Sequence, residues 1–144
     1  MNQSEDKSVN KVRFNYAVMV ACEFRRAPIL KENSSINFFP TIFTESNVED
    51  GVSARHFGIR LTNDDQTMEC YVEYVGVFQN IGAGQTEFER FLKYNAVAVL
   101  IPYVRETIQA ILQRSGVQSS PFPIINVFEF VDQYEKELEE GKVV

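Results

Sequence analysis

MECYVEYVGVFQN at residues 68–80, followed by IGAGQTEFERFLKYNAVAVLIPYVRETIQAILQR at 81–114, changes its hydrophobic period once, and that change decides the fold. In the first part Met68, Cys70, Val72 and Tyr74 alternate with Glu69, Tyr71 and Glu73, so one face is apolar and the other polar. The run then turns apolar on both faces through Val75, Val77 and Phe78, with Gly76 as a candidate bulge. After Ile81 the spacing becomes helical. Thr86 and Glu89 have the form of a capping box, and Val97, Ile101, Val104, Ile108 and Ile111 recur at spacings of four and three. Residues 96–101 are apolar all round. A helix of that kind must be covered on every side, and a four-stranded sheet covers only one, which predicts that a second subunit covers the rest. Pro102 is expected to kink or divide the helix, and Gly116 to end it.

Upstream, Val12, Phe14, Tyr16, Val18, Val20, Cys22 and Phe24 alternate with polar or small residues, predicting a long half-buried strand that ends at Ala27-Pro28. A second extended run covers residues 36–43. Pro40 lacks a donor there, so this strand is expected to be short, bulged or at an edge. A turn at 45–51 precedes a third strand carrying Phe57, Ile59 and Leu61, and residues 63–65 turn the chain into the fourth. Downstream, Pro121 and Pro123 make residues 119–125 a stiff apolar crossing loop. Asn126 and Glu129 open a last amphipathic helix with Val127, Val131, Tyr134 and Leu138 on one face, ending near Gly141. The result is an α+β architecture, an antiparallel four-stranded sheet followed by helices, in one domain over residues 1–144 with tails at 1–10 and 140–144.

Little in the chain carries chemistry. His56 is the only histidine, on the expected polar face of the third strand, with no second ligand at metal spacing. Cys22 and Cys70 fall on the apolar parity of their strands and read as packing residues. Their separation suits neither a disulfide framework nor a zinc knuckle, and predicts a reducing, cytoplasmic setting. Residues 81–85 have the outline of a dinucleotide loop, but Glu87 stands where a third glycine belongs, and Glu87 and Glu89 would face a phosphate with two carboxylates. No cofactor or metal is predicted. A net charge of −6 without a basic cluster argues against nucleic acid, and the absence of an apolar run of about 18 residues argues against membrane insertion. Twelve Phe and six Tyr exceed what one small core requires, so part of them is expected at a surface that accepts apolar polypeptide.

The stretch from Val72 through Phe78-Gln79-Asn80-Ile81 to Leu100-Ile101-Pro102-Tyr103-Val104-Arg105-Glu106, then Ser119-Ser120-Pro121-Phe122-Pro123-Ile124 to Val127-Phe128, resembles the SecB export chaperones and their SecB-like relatives. The most specific element is Pro-Tyr-x-Arg-Glu at 102–106. The resemblance implies an ATP-independent holdase for unfolded polypeptides, assembled as a homotetramer, a dimer of dimers. By position, Phe122, Ile124, Val127 and Phe128 with Phe78 would line a client groove, and Met68, Cys70, Val72 and Tyr74 would supply an apolar face for clients and assembly. Val97, Ile101, Tyr103, Arg105, Glu106 and Ile108 would set subunit geometry.

The chain departs from export members where they present acids to the translocation motor SecA. Cys22 and Arg26 stand at those positions, with Glu69 and Tyr71 beside them. Arg26 reverses the charge that attracts a basic partner. Two readings therefore stand together: an export chaperone, and a SecB-like chaperone dedicated to another client such as the antitoxin of a toxin–antitoxin pair. A small-ligand enzyme on a similar frame is the third, and the sequence offers it no convergent acid, base or nucleophile.

Overall fold

The computed structural model describes residues 11–32, 34–117 and 122–141. Four strands, β1 (Val12–Arg26), β2 (Ile36–Glu49), β3 (Val52–Asn63) and β4 (Met68–Asn80), form one antiparallel sheet in the order β1-β4-β3-β2. A helical layer follows. α1 (Gln85–Arg90) passes through a π-helical turn (Phe91–Asn95) into α2 (Ala96–Arg114), and α3 (Val127–Glu139) closes the chain.

The period-two pattern is realised most fully in the middle of the sheet. Phe57, Ile59 and Leu61 of β3 and Met68, Cys70 and Val72 of β4 point towards the helices and are almost wholly buried. Val97, Leu100, Ile101, Val104, Ile108 and Leu112 of α2 meet them, which accounts for the helical stripe read in the sequence. A second cluster, Phe78, Phe88, Leu92 and Ala96, continues the core under α1 and the π turn.

Several local expectations change. β2 is an edge strand but not a short one, because it runs on past 45 to Glu49 through a register shift and turns at Asp50-Gly51 alone, Gly51 having φ 72°. Glu49 pairs with Val52 across that two-residue turn, so residues 45–49 belong to a strand, not a turn. Thr86 does not cap; Gly84 precedes α1 and no side chain caps it. Pro102 lies on the exposed side of α2, which continues through it; the irregularity falls one turn or more earlier, in the π turn. Gly116 does end α2: at φ 69° it donates to the Gln113 carbonyl while Val117 donates to that of Leu112, the two bonds of a Schellman motif. At the start of α3, Asn126 Oδ1 accepts from the Glu129 amide at 3.2 Å, as its position predicts. Gly141, at φ 74°, follows its end. Of the tails expected at 1–10 and 140–144, residues 1–10 and 142–144 lie outside the described residues, as do residues 118–121 of the crossing loop.

Candidate functional site

The crossing segment re-enters at Phe122, whose ring meets Phe38 edge-on at 5.6 Å while the Arg105 guanidinium lies 5.3 Å above it. Phe122, Ile125 and Val127 pack on the core, whereas Ile124 is 99% exposed and Phe128 54% exposed. Phe128 leans on Tyr94 at 4.7 Å, and between them opens a cleft of about 580 Å³. Phe91, Tyr94 and Asn95 of the π turn, Ala98 and Val99 of α2, and Asn126, Val127 and Phe128 line it. No carboxylate, imidazole or amine stands among these residues. The Tyr94 phenol points away to donate to Asp132 Oδ1 at 2.6 Å. Lys93 ties the same two elements through Glu135 at 3.2 Å, and that bond holds its ammonium pKa above the ordinary value. The cleft is thus an apolar surface with two amides on its rim, suited to apolar side chains and a few main-chain bonds.

Of the residues assigned to the groove by resemblance, Val127 and Phe128 line this cleft, while Phe122, against Phe38 and Arg105, and exposed Ile124 precede them in the chain and are not part of its lining. Phe78, Met68 and Val72 do not. They are fully buried under the helices, Phe78 between the rings of Phe14 and Phe91, and offer no surface to a client in this arrangement. Their parity was right, but the protein's own helices cover the apolar face of β4. Tyr74 is partly exposed; its hydroxyl is 2.6 Å from Thr107 Oγ1 and its ring 5.6 Å from that of Tyr103. It lines a second cleft of about 370 Å³ with Cys22, Tyr103, Glu106 and Ile111, between β1 and α2. Among the residues expected between subunits, Val97, Ile101 and Ile108 face their own sheet and Arg105 serves Phe122, while Tyr103 and Glu106 remain on the outer surface.

Sequence reading missed Phe91, Tyr94, Asn95, Ala98 and Val99 as a wall. The signal was present in residues that fall off the main stripe, but a π turn cannot be read from spacing. His56 lies on the polar face, as expected, but is not exposed there. It is buried on the far face of the sheet, its Nδ1 2.8 Å from Glu73 Oε2 and its Nε2 2.8 Å from Glu45 Oε1, with Phe43 stacked on it at 3.8 Å. Cross-strand neighbours on both sides, invisible along one strand, make a polar residue buriable there.

Arg26, singled out in the sequence, has each of its three nitrogens engaged. It donates to the carbonyls of Ala27 at 2.9 Å, Ser115 at 2.7 Å and Pro28 at 3.0 Å, so it ties the end of β1 to the C-terminus of α2. Glu69 is paired with both Arg25 and Arg60, and Tyr71 donates to Glu73 beneath Arg60. Burial, and secondarily that bond, push the Tyr71 phenol well above its ordinary pKa. Among the described residues no three His, Cys, Asp or Glu side chains converge on a metal position, and no helix is long and apolar enough to cross a membrane.

A four-stranded antiparallel sheet backed by one helical layer, with an apolar cleft at its surface, defines an α+β protein. The family model described as preprotein translocase subunit SecB matches residues 41–140, and the chain belongs to the SecB family. Over 75 residues it is 34% identical to the protein-export protein SecB of Anaplasma phagocytophilum (strain HZ). That alignment takes in 50% of this chain and 46% of the relative, so it spans about half the length of the curated protein it matches. Among solved structures, a Mycobacterium tuberculosis SecB-like chaperone in complex with a peptide from an antitoxin superposes with a TM-score of 0.67 at 10% identity, over 84% of this chain and 94% of that one. The likeness is one of fold.

Proposed function

We propose that the chain is a cytoplasmic, ATP-independent holdase that binds unfolded polypeptide segments, without catalysis, in the cleft between the π turn and the start of α3. The observation that carries this reading is the exposure of Phe128 on a cleft lined by apolar and amide side chains and the Tyr94 ring, with exposed Ile124 four residues before it in the chain. Phe122 and Phe128 are the aromatic anchors. The test is light scattering from a denatured client diluted into buffer with this protein and no nucleotide. Suppressed aggregation is expected, and Phe122→Ala with Phe128→Ala is expected to weaken holding about tenfold while leaving the fold intact. Undiminished holding by the folded double variant would remove these residues from the groove.

The working form in this reading is a homotetramer, a dimer of dimers. β1 supports it: Tyr16, Val18, Met19 and Val20 are exposed on a strand paired on one side only. The second cleft, with Tyr103 and Glu106, lies beside that strand and continues the surface a partner would cover.

One observation favours a dedicated client, such as an antitoxin, over docking to the export motor. Arg26, Arg25 and Arg60 make the end of β1 a corner of engaged bases and one doubly paired acid, which gives a basic partner no free carboxylate cluster to meet. Titrating the translocation motor SecA against this protein decides between them. Binding of low-micromolar strength or tighter would restore the export reading.

A further inference from the structure

The π turn that forms the cleft wall has a neighbour whose position the rest of the fold does not explain. Arg55 lies on the helix-facing side of β3, 6% exposed, in a place where its strand partners alternate with apolar residues. Its Nη1 donates to Thr44 Oγ1 at 2.7 Å and its Nη2 to the Lys93 carbonyl at 3.0 Å, while its Nε has no partner. Burial pushes the guanidinium down to about 10, with Glu135 opposing that shift. No carboxylate forms a salt bridge with it among the described residues. A buried cation left with two neutral acceptors is unfavourable for stability, so its retention calls for a role other than stability.

The Lys93 carbonyl supplies that role. It belongs to the π turn, a wide and rarely adopted winding that ordinary helix formers such as Phe91-Leu92-Lys93-Tyr94-Asn95 do not choose unaided. Pro102 does not explain it, because a proline frees the carbonyl four residues before it, at Ala98, not at Lys93. Rewound as an α-helix, the turn would rotate residues on its N-terminal side by about 100° relative to α2. Phe91 would then leave the cleft. We propose that Arg55 is a positioning residue for the client cleft, holding the π turn open through the Lys93 carbonyl so that Phe91, Tyr94 and Asn95 face an apolar polypeptide segment. This rests on the reading of that cleft as the client site.

The test pairs Arg55→Met, which keeps length but has no donor, with Arg55→Lys, which keeps the charge and one donor. Three quantities are measured on the full chain: melting temperature, affinity for an unfolded client and for a hydrophobic dye, and amide exchange at residues 95–98. Arg55→Met is expected to melt at or above the temperature of the unmodified protein, because an incompletely paired charge has gone. Its affinity for client and dye is expected to fall about tenfold, with altered exchange at 95–98, and Arg55→Lys to recover part of both. A folded Arg55→Met that binds as well as the unmodified protein overturns the proposal and assigns the π turn to core packing. So does an affinity loss that merely follows a lower melting temperature. If Arg55→Met does not fold, Arg55→Lys decides alone: weakened binding at unchanged stability supports the proposal, and unchanged binding overturns it. Unmodified protein that ignores both client and dye would instead overturn the holding function.

Discussion

The two edges of the sheet are built by opposite rules. β2 carries Pro40, a register shift before Glu49, and a polar tie across three strands from Glu45 through His56 to Glu73. Of these, Pro40, which lacks a backbone donor, makes further pairing on that edge unfavourable. β1, at the other edge, has neither proline nor lysine within the strand, and Tyr16, Val18, Met19 and Val20 stand exposed. Its two register shifts adjust its fit to β4 but leave 15 residues of strand available. In the proposed assembly the apolar β1 edge is the one a second chain covers; β2 exposes Phe39, Phe43 and Val48 as well, but Pro40 interrupts it as a pairing edge.

The largest effect should come from charging the open edge. Val18→Lys with Val20→Lys is expected to reduce the assembly to monomers at micromolar concentration in sedimentation, while Phe39→Lys on β2 leaves the mass unchanged. Equal behaviour of the two variants would erase the distinction between the edges. Next in size is Arg26→Ala, which frees the end of β1 from α2. The loss of a charge-assisted bond to the Ser115 carbonyl should lower stability by about 1–3 kcal/mol, read as a melting temperature reduced by several degrees. A variant as stable as the unmodified protein would show that Arg26 contributes only surface charge. His56→Gln offers one amide nitrogen in place of two ring nitrogens and should cost about 1 kcal/mol, with faster amide exchange at 44–49 and no change in assembly. If exchange there is unaltered, the polar tie does not protect β2. The smallest effect is kinetic. Cys22 is exposed beside the open edge, whereas Cys70 is buried with its thiol pushed up to about 11 by burial and the nearby Cys22. One thiol should therefore react in the folded protein, several-fold more slowly as concentration rises and β1 becomes covered; a rate independent of concentration would leave the edge open in solution.

Strand count, sheet class, the helical stripe and the ends of α2 and α3 were legible because each is a local signal. Period-two alternation reports a strand whatever it pairs with, and Gly116 and Asn126 act within a few residues of themselves. The candidate groove was legible only in part. Phe122 and Ile124 lie on the extended segment before α3 and Val127 and Phe128 in its first turn, whereas Met68, Val72 and Phe78, read by parity as part of a client face, are buried by α1, the π turn and α2.

The amino-acid sequence by itself determined the main elements, their order along the chain and the apolar faces of β3 and β4, because these follow from residue type and spacing. Only the tertiary structure decided which apolar face stays covered, which edge stays open, and where Arg26, Arg55 and His56 find their partners. The reason is one of distance. Arg26 meets Ser115 and Arg55 meets Lys93 across 89 and 38 residues, and no period of two or 3.6 carries information over such intervals.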